Sequence, residues 1–133
     1  TAELVFNNPD ALKTLNAITH PWIRNESKRK AQALMDQTNP PEVILFDIPL
    51  LYENGLEKTL DAVIVVNAPL ELRIKRVQER SGLTEEEIQA RDKAQLNLNE
   101  KVKRADYVIE NSQTLTELEA QVDTLWQKLT SSA

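Results

Sequence analysis

The apolar positions of this chain fall into two kinds of pattern. Three short runs are unbroken: Val43-Ile44-Leu45-Phe46, Ala62-Val63-Ile64-Val65-Val66 and Tyr107-Val108-Ile109. Runs of this length, rich in β-branched residues and without alternation, predict strands buried on both faces of a parallel sheet. Each run ends in polar residues: Asp47, then Asn67, then Glu110-Asn111-Ser112. The turn after Asp47, Ile48-Pro49-Leu50-Leu51-Tyr52, leads to a second carboxylate at Glu53.

Elsewhere the apolar residues recur at helical spacing. Asn8-Pro9-Asp10 reads as a helix start, with a capping side chain and proline in the first turn. Leu12, Leu15 and Ile18 follow at helical spacing until Thr19-His20-Pro21, where the pattern predicts a break. A second, polar helix carries Ile23, Ala31, Leu34 and Met35 and stops before Asn39-Pro40-Pro41. A short helical piece passes Gly55 before the second strand. Beyond Asn67-Ala68-Pro69 a helix runs through Leu72, Arg76 and Arg80 to Ser81-Gly82. Thr84 with Glu87 forms the signature of a capping box, opening a helix through Ile88, Arg91 and Gln95. With few core residues, the Arg73–Arg104 segment is expected to be exposed and mobile. Thr114 with Glu117 opens the clearest amphipathic helix, whose stripe is Leu115, Leu118, Val122, Leu125, Trp126 and Leu129. Trp22 and Trp126 read as packing residues.

Strands separated by helical crossovers give an α/β fold class with a parallel sheet. In such a sheet the polar turns at Asp47, Asn67 and Asn111 lie on one edge, which is where open α/β sheets place ligands.

Composition narrows the function without naming it. At 133 residues the chain suits one domain, and its charge of −5 argues against a broad nucleic-acid surface while allowing a local arginine cluster. Without cysteine there is no disulfide framework or thiolate metal site, which fits a cytoplasmic protein. No apolar run has the length of a membrane span, so neither a membrane nor a nucleic acid is expected as a partner.

The candidate chemistry is carried by a few side chains. Asp47 and Glu53 could serve as acid/base groups or position Mg²⁺ beside a nucleotide phosphate. Equally, Asp47 could cap a turn and Glu53 be solvated. Arg76 and Arg80 share a helix face, which repels unless an anion or carboxylate lies between them. A phosphate would explain the pair, as would salt bridges to Glu79 or Glu85–Glu87. His20 could touch a substrate, cap a helix or pack, and Asn111 could bond a base or form an Asx-turn. There is no metal-ligand cluster, no serine elbow and no G-x-G-x-x-G. With Gly55 and Gly82 as the only glycines, there is also no G-x-x-x-x-G-K-[ST].

Taken in order, several stretches resemble the dephospho-coenzyme A kinases. They are Leu4–Phe6, Ile18-Thr19-His20-Pro21, Asp47 to Glu53, Arg76-x-x-x-Arg80, Arg91-x-x-x-Gln95 and Ala105-Asp106-Tyr107-Val108-Ile109-x-Asn111. The resemblance covers essentially the whole chain. It implies a P-loop NTPase-like parallel-sheet core, incomplete here, with helical acceptor-binding and lid segments. It also implies transfer of the ATP γ-phosphate to the 3′-hydroxyl of dephospho-coenzyme A, the last step of coenzyme A biosynthesis, with Mg²⁺. By resemblance, residues 1–39 form acceptor-binding helices, 40–70 and 105–133 core, and 71–104 lid. His20, Pro49, Leu50, Leu51 and Glu53 would then face the acceptor. Arg76, Arg80 and Arg91 would close over the ATP phosphates, and Asn111 would lie by the adenine. Asp47 is the one catalytic candidate within the chain.

The family pattern also includes a phosphate loop with its lysine and an aspartate-bearing segment, and neither is present in these residues. Thr1 in place of methionine adds to the expectation that an N-terminal portion is missing and that this chain alone is inactive. An unpartnered Val43–Phe46 strand would then favour self-association or rearranged packing. The alternatives are another small-molecule P-loop kinase, or a non-catalytic binding or assembly module that keeps the fold.

Overall fold

Asn8 opens the first helix as its sequence requires. Its side chain accepts from the Asp10 and Ala11 amides, both at 3.1 Å, satisfying two of the donors a helix start leaves free. The computed structural model describes residues 8–131 and divides into two compact units, Thr1–Leu45 and Phe46–Ala133. The Leu4–Phe6 stretch lies outside the described residues.

In the first unit, α1 runs unbroken over Pro9–Met35, so the expected break at Thr19-His20-Pro21 does not occur. Pro21 removes one backbone donor from the interior, a cost of about 3 kcal/mol in isolated helices. The long run of good helix formers from Arg24 to Met35 carries the helix past it, aided by the Glu26–Arg29 ion pair at 2.7 Å. His20 therefore lies inside a helix rather than at its end. Trp22 is 69% exposed, which overturns its reading as a packing residue.

The expected strand Val43–Phe46 is not formed. Residues 43–48 are irregular, no ladder among the described residues includes them, and Leu45 is 76% exposed. An apolar run becomes a strand only when a neighbouring backbone takes its N–H and C=O groups, and none does so here.

The second unit holds a 3-10 turn at Leu56–Thr59, β1 (Ile64–Asn67), α2 (Leu70–Ser81), α3 (Glu85–Lys93), α4 (Leu98–Arg104), β2 (Tyr107–Glu110) and α5 (Leu115–Thr130). Gly82 ends α2 at φ 64°, a left-handed conformation suited to glycine. Both capping boxes form, at Thr84–Glu87 and Thr114–Glu117. The two strands are parallel, with Ile64 opposite Tyr107 and Asn67 opposite Glu110.

Burial on these strands alternates, contrary to the expectation of two buried faces. Val63 and Val65 form the core with Tyr52, and Leu51, Leu96, Leu98, Val102 and Ala105 pack against them. Ile109 lies opposite Val66 in register, hence on the other face, where it and Leu125 are buried. Helices thus cover opposite faces, α4 at β1 and α5 at β2. The sheet that β1 and β2 form among the described residues is narrower than the apolar stripe of α5, so Trp126 stays 52% exposed and is not the packing residue its stripe suggested. The Arg73–Arg104 segment has more core than its composition suggested: Ile74 and Ile88 are buried where α2 meets α3.

Candidate functional site

The carboxyl ends of β1 and β2 gather polar groups, as a parallel sheet requires. The Asn111 amide donates to the Asn67 carbonyl at 2.8 Å. Across the strands, the Asn67 side-chain amide donates to both carboxylate oxygens of Glu110, at 2.9 and 3.0 Å. Gln121 of α5 secures the turn from behind: the Glu110 N–H donates to its Oε1 and its Nε2 donates to the Glu110 carbonyl, both at 2.9 Å. A side-chain amide thus takes the place of a neighbouring strand.

Two of the sequence candidates meet on this edge. The Arg76 guanidinium donates to the Asn111 carbonyl at 2.7 Å, joining α2 to the end of β2 across 35 residues of sequence. Arg73, three residues earlier, donates to the Ala68 carbonyl at 3.1 Å and pairs with Asp92 of α3. The salt-bridge explanation for Arg76 and Arg80 is not met. Glu85 bonds Gln89, Glu87 closes the Thr84 capping box, and among the described residues no hydrogen bond or ion pair engages Arg80 or Arg91. Both side chains are exposed.

The turn after Ile48 is held by its own backbone. Asn54 donates to the Leu50 carbonyl from its amide at 3.1 Å and its side chain at 2.8 Å, and the Leu56 amide donates to the Leu51 carbonyl at 3.0 Å. Leu51 turns into the core, leaving Pro49 and Leu50 exposed. Glu53 is not simply solvated. Its carboxylate accepts from the Leu96 N–H at 3.1 Å and pairs with Lys101 at 2.8 Å. Partial burial pushes its pKa up, but Lys101 and the backbone donors outweigh this and hold it below the ordinary carboxylate value. Beneath it, burial raises the Tyr52 hydroxyl above the usual phenol range, partly countered by Arg104, whose guanidinium lies 4.4 Å from the ring centroid. That hydroxyl is buried without a partner.

Asp47 stands exposed in irregular chain, with no hydrogen bond or ion pair to any of the described residues, so the expected convergence of three strand ends is realised for Asn67 and Asn111 alone. Among the described residues no group of three or more His, Cys, Asp or Glu side chains could hold a metal ion. A groove of about 500 Å³ between β2 and α5, lined by Tyr107, Ile109, Ala120, Thr124 and Leu125, holds none of the candidates. Among the described residues no helix is long and apolar enough to cross a membrane. Sequence reasoning missed Glu110, Gln121 and Lys101, whose partners lie 11 to 48 residues away. Of these, Glu110 carried a signal, as did Asn67, each being a polar residue ending an apolar run.

A family model described as dephospho-CoA kinase matches residues 1–117. A dephospho-CoA kinase of Deinococcus radiodurans is 45% identical over 128 residues, spanning 96% of this chain and 61% of the relative. One from Thermus thermophilus is 41% identical, spanning 99% and 63%. A Thermus thermophilus crystal structure superposes with a TM-score of 0.80 at 41% identity, over 97% of this chain and 65% of that one. A dephospho-CoA kinase from Campylobacter jejuni gives 0.67 at 32% identity, over 99% and 65%. The chain therefore spans under two thirds of the length of the relatives it matches. Its parallel α/β unit has the P-loop NTPase-like fold of these structures, and the chain belongs to the dephospho-CoA kinase family.

Proposed function

We propose that this chain supplies the acceptor side, the lid and the adenine edge of an enzyme that phosphorylates the 3′-hydroxyl of dephospho-coenzyme A with ATP. The observation that carries the reading is the bond from Arg76 to the Asn111 carbonyl. It holds the arginine-bearing excursion at the carboxyl end of the sheet, where a nucleotide would lie. Arg76, Arg80 and Arg91 then serve the ATP phosphates, and Asn111 the adenine. The exposed Arg80 and Arg91, with no carboxylate partner among the described residues, suit phosphate oxygens. His20, Pro49, Leu50, Leu51 and Glu53 serve the acceptor, with α1 (Pro9–Met35) as its helix, 71–104 as lid, and 40–70 with 105–133 as core. Asp47 is the candidate for positioning Mg²⁺ carried in with ATP, and the setting is cytoplasmic.

Phosphoryl transfer depends on positioning and charge stabilisation, much of which a phosphate loop supplies. These 133 residues contain no such loop, so the chain alone binds without catalysing. Calorimetry with dephospho-coenzyme A and with ATP tests the binding, and a coupled assay tests the inactivity. Failure to bind either ligand, or turnover above background, would overturn the respective part. Among the described residues β1 pairs along one edge only, with β2, and an open edge favours self-association. Sedimentation showing a monomer at high concentration would remove that part.

A further inference from the structure

The turn after Ile48 and the chain returning from the arginine-bearing excursion are joined at several independent points. Glu53 takes the Leu96 N–H and the Lys101 ammonium. Arg104 donates to Glu57 at 2.6 Å while lying over the Tyr52 ring. Leu96, Leu98 and Val102 pack on the same cluster as Leu51. The opposite end of the excursion is held differently. There α2 and α3 pack on each other through Ile74 and Ile88, and single guanidinium bonds to the Asn111 and Ala68 carbonyls reach the sheet edge.

We propose that Glu53 is a positioning residue, anchoring the acceptor-side turn to the end of the excursion so that the movable lid stops at Leu96 and α4 stays with the core. This deepens the functional reading above, rests on its division into acceptor turn and lid, and moves the end of the 71–104 lid back to Leu96. The chemistry favours an anchor over a direct substrate contact. One Glu53 oxygen accepts both the Leu96 N–H and the Lys101 ammonium, and Lys101 is itself largely shielded, its side chain 12% exposed. That oxygen is committed to the chain it holds, and contact with a ligand is left to the other oxygen. Residues 94–97, between α3 and α4, are where a swing of α3 would be absorbed. The Leu96 bond fixes the near end of that connection, and the Asn97 cap on Asn99 N–H at 2.8 Å fixes the start of α4. Pro49 and Leu50 are thereby set by the same bonds that end the lid.

The test uses the purified chain with Glu53→Ala, Glu53→Gln and Lys101→Met. Amide exchange should speed at Leu96 by tenfold or more in Glu53→Ala and less in Glu53→Gln, which keeps an acceptor. Exchange within α5 should be unchanged in both, showing the fold intact. Unaltered Leu96 exchange in Glu53→Ala would overturn the anchor. In calorimetry, Glu53→Ala and Lys101→Met should weaken dephospho-coenzyme A by similar factors, tenfold or more, and ATP by less than twofold. A loss confined to Glu53→Ala would make Glu53 a direct contact and overturn the positioning role. If the unsubstituted chain binds no dephospho-coenzyme A, the functional reading fails for this chain, and the exchange experiment still decides the anchor.

Discussion

The two ends of the arginine-bearing excursion are attached by different physics. At its start, α2 reaches the sheet edge through guanidinium groups resting on backbone carbonyls, Arg73 on Ala68 and Arg76 on Asn111. At its end, α4 is set into the core by Leu98 and Val102 and ringed by the pairs Glu53–Lys101 and Glu57–Arg104. Apolar burial is lost in proportion to the area exposed, whereas a single bond to a carbonyl can be exchanged for water or for a ligand at little net cost. The first attachment suits an element that moves, and the second suits one that does not.

The sharpest way to break that contrast is at Tyr52, under α4. Tyr52→Ala empties a buried aromatic site and should cost about 3 kcal/mol or more in urea unfolding. Tyr52→Phe should be near neutral, because the hydroxyl it removes is buried without a partner. A cost for Tyr52→Phe approaching that of Tyr52→Ala would mean the ring is held by its hydroxyl rather than by packing.

Acid sharpens the same comparison with a smaller effect. The folded-state pKa of Glu53 is lowered, so its stabilisation is present above the ordinary carboxylate value and lost as pH falls through the folded one. Glu26 and Glu117 are shifted in the same direction by Arg29 and by the Thr114 cap, so wild type loses stability through several groups at once. Glu53→Gln should therefore narrow the stability difference between pH 7 and pH 3 without abolishing it. An unchanged pH dependence in that variant would show that the Lys101 pair contributes nothing to the α4 attachment.

Much of this contrast is legible in the order of the amino acids, and the part that is not has a common cause. Both capping boxes, the Asn8 start and the Gly82 stop are local, and the structure contains each of them. Tyr107–Ile109 forms a strand because Ala62–Val66 supplies a parallel neighbour. Val43–Phe46 is just as apolar and does not, because strand formation depends on a partner that the run itself does not encode. The site divides in the same way. Asn67 and Asn111 end apolar runs and can be found, whereas Lys101 is one of two lysines on a short helix rich in charge. Its meaning comes from Glu53, 48 positions earlier, and no periodicity links the two. Pro21 fails in the opposite direction: a strong local signal is overridden by the helix formers that follow it.

The smallest expected change in stability comes from the start of the excursion, and there it separates folding from binding. Arg76→Ala removes one partly buried bond to a carbonyl at the end of β2, and should cost about 1 kcal/mol or less. The Asn111 carbonyl it leaves behind lies at the sheet edge, where water can replace the guanidinium, so no buried acceptor is stranded. Its amide keeps the bond to Asn67, and Gln121 keeps Glu110 in place, so the turn should persist. If α2 is the movable attachment and Arg76 serves the ATP phosphates as proposed, the same substitution should weaken ATP by tenfold or more in calorimetry, since a guanidinium offered to phosphate cannot be replaced by water. A stability loss like that of Tyr52→Ala would put Arg76 among the fixed supports of the fold, and the two ends of the excursion would no longer differ in kind.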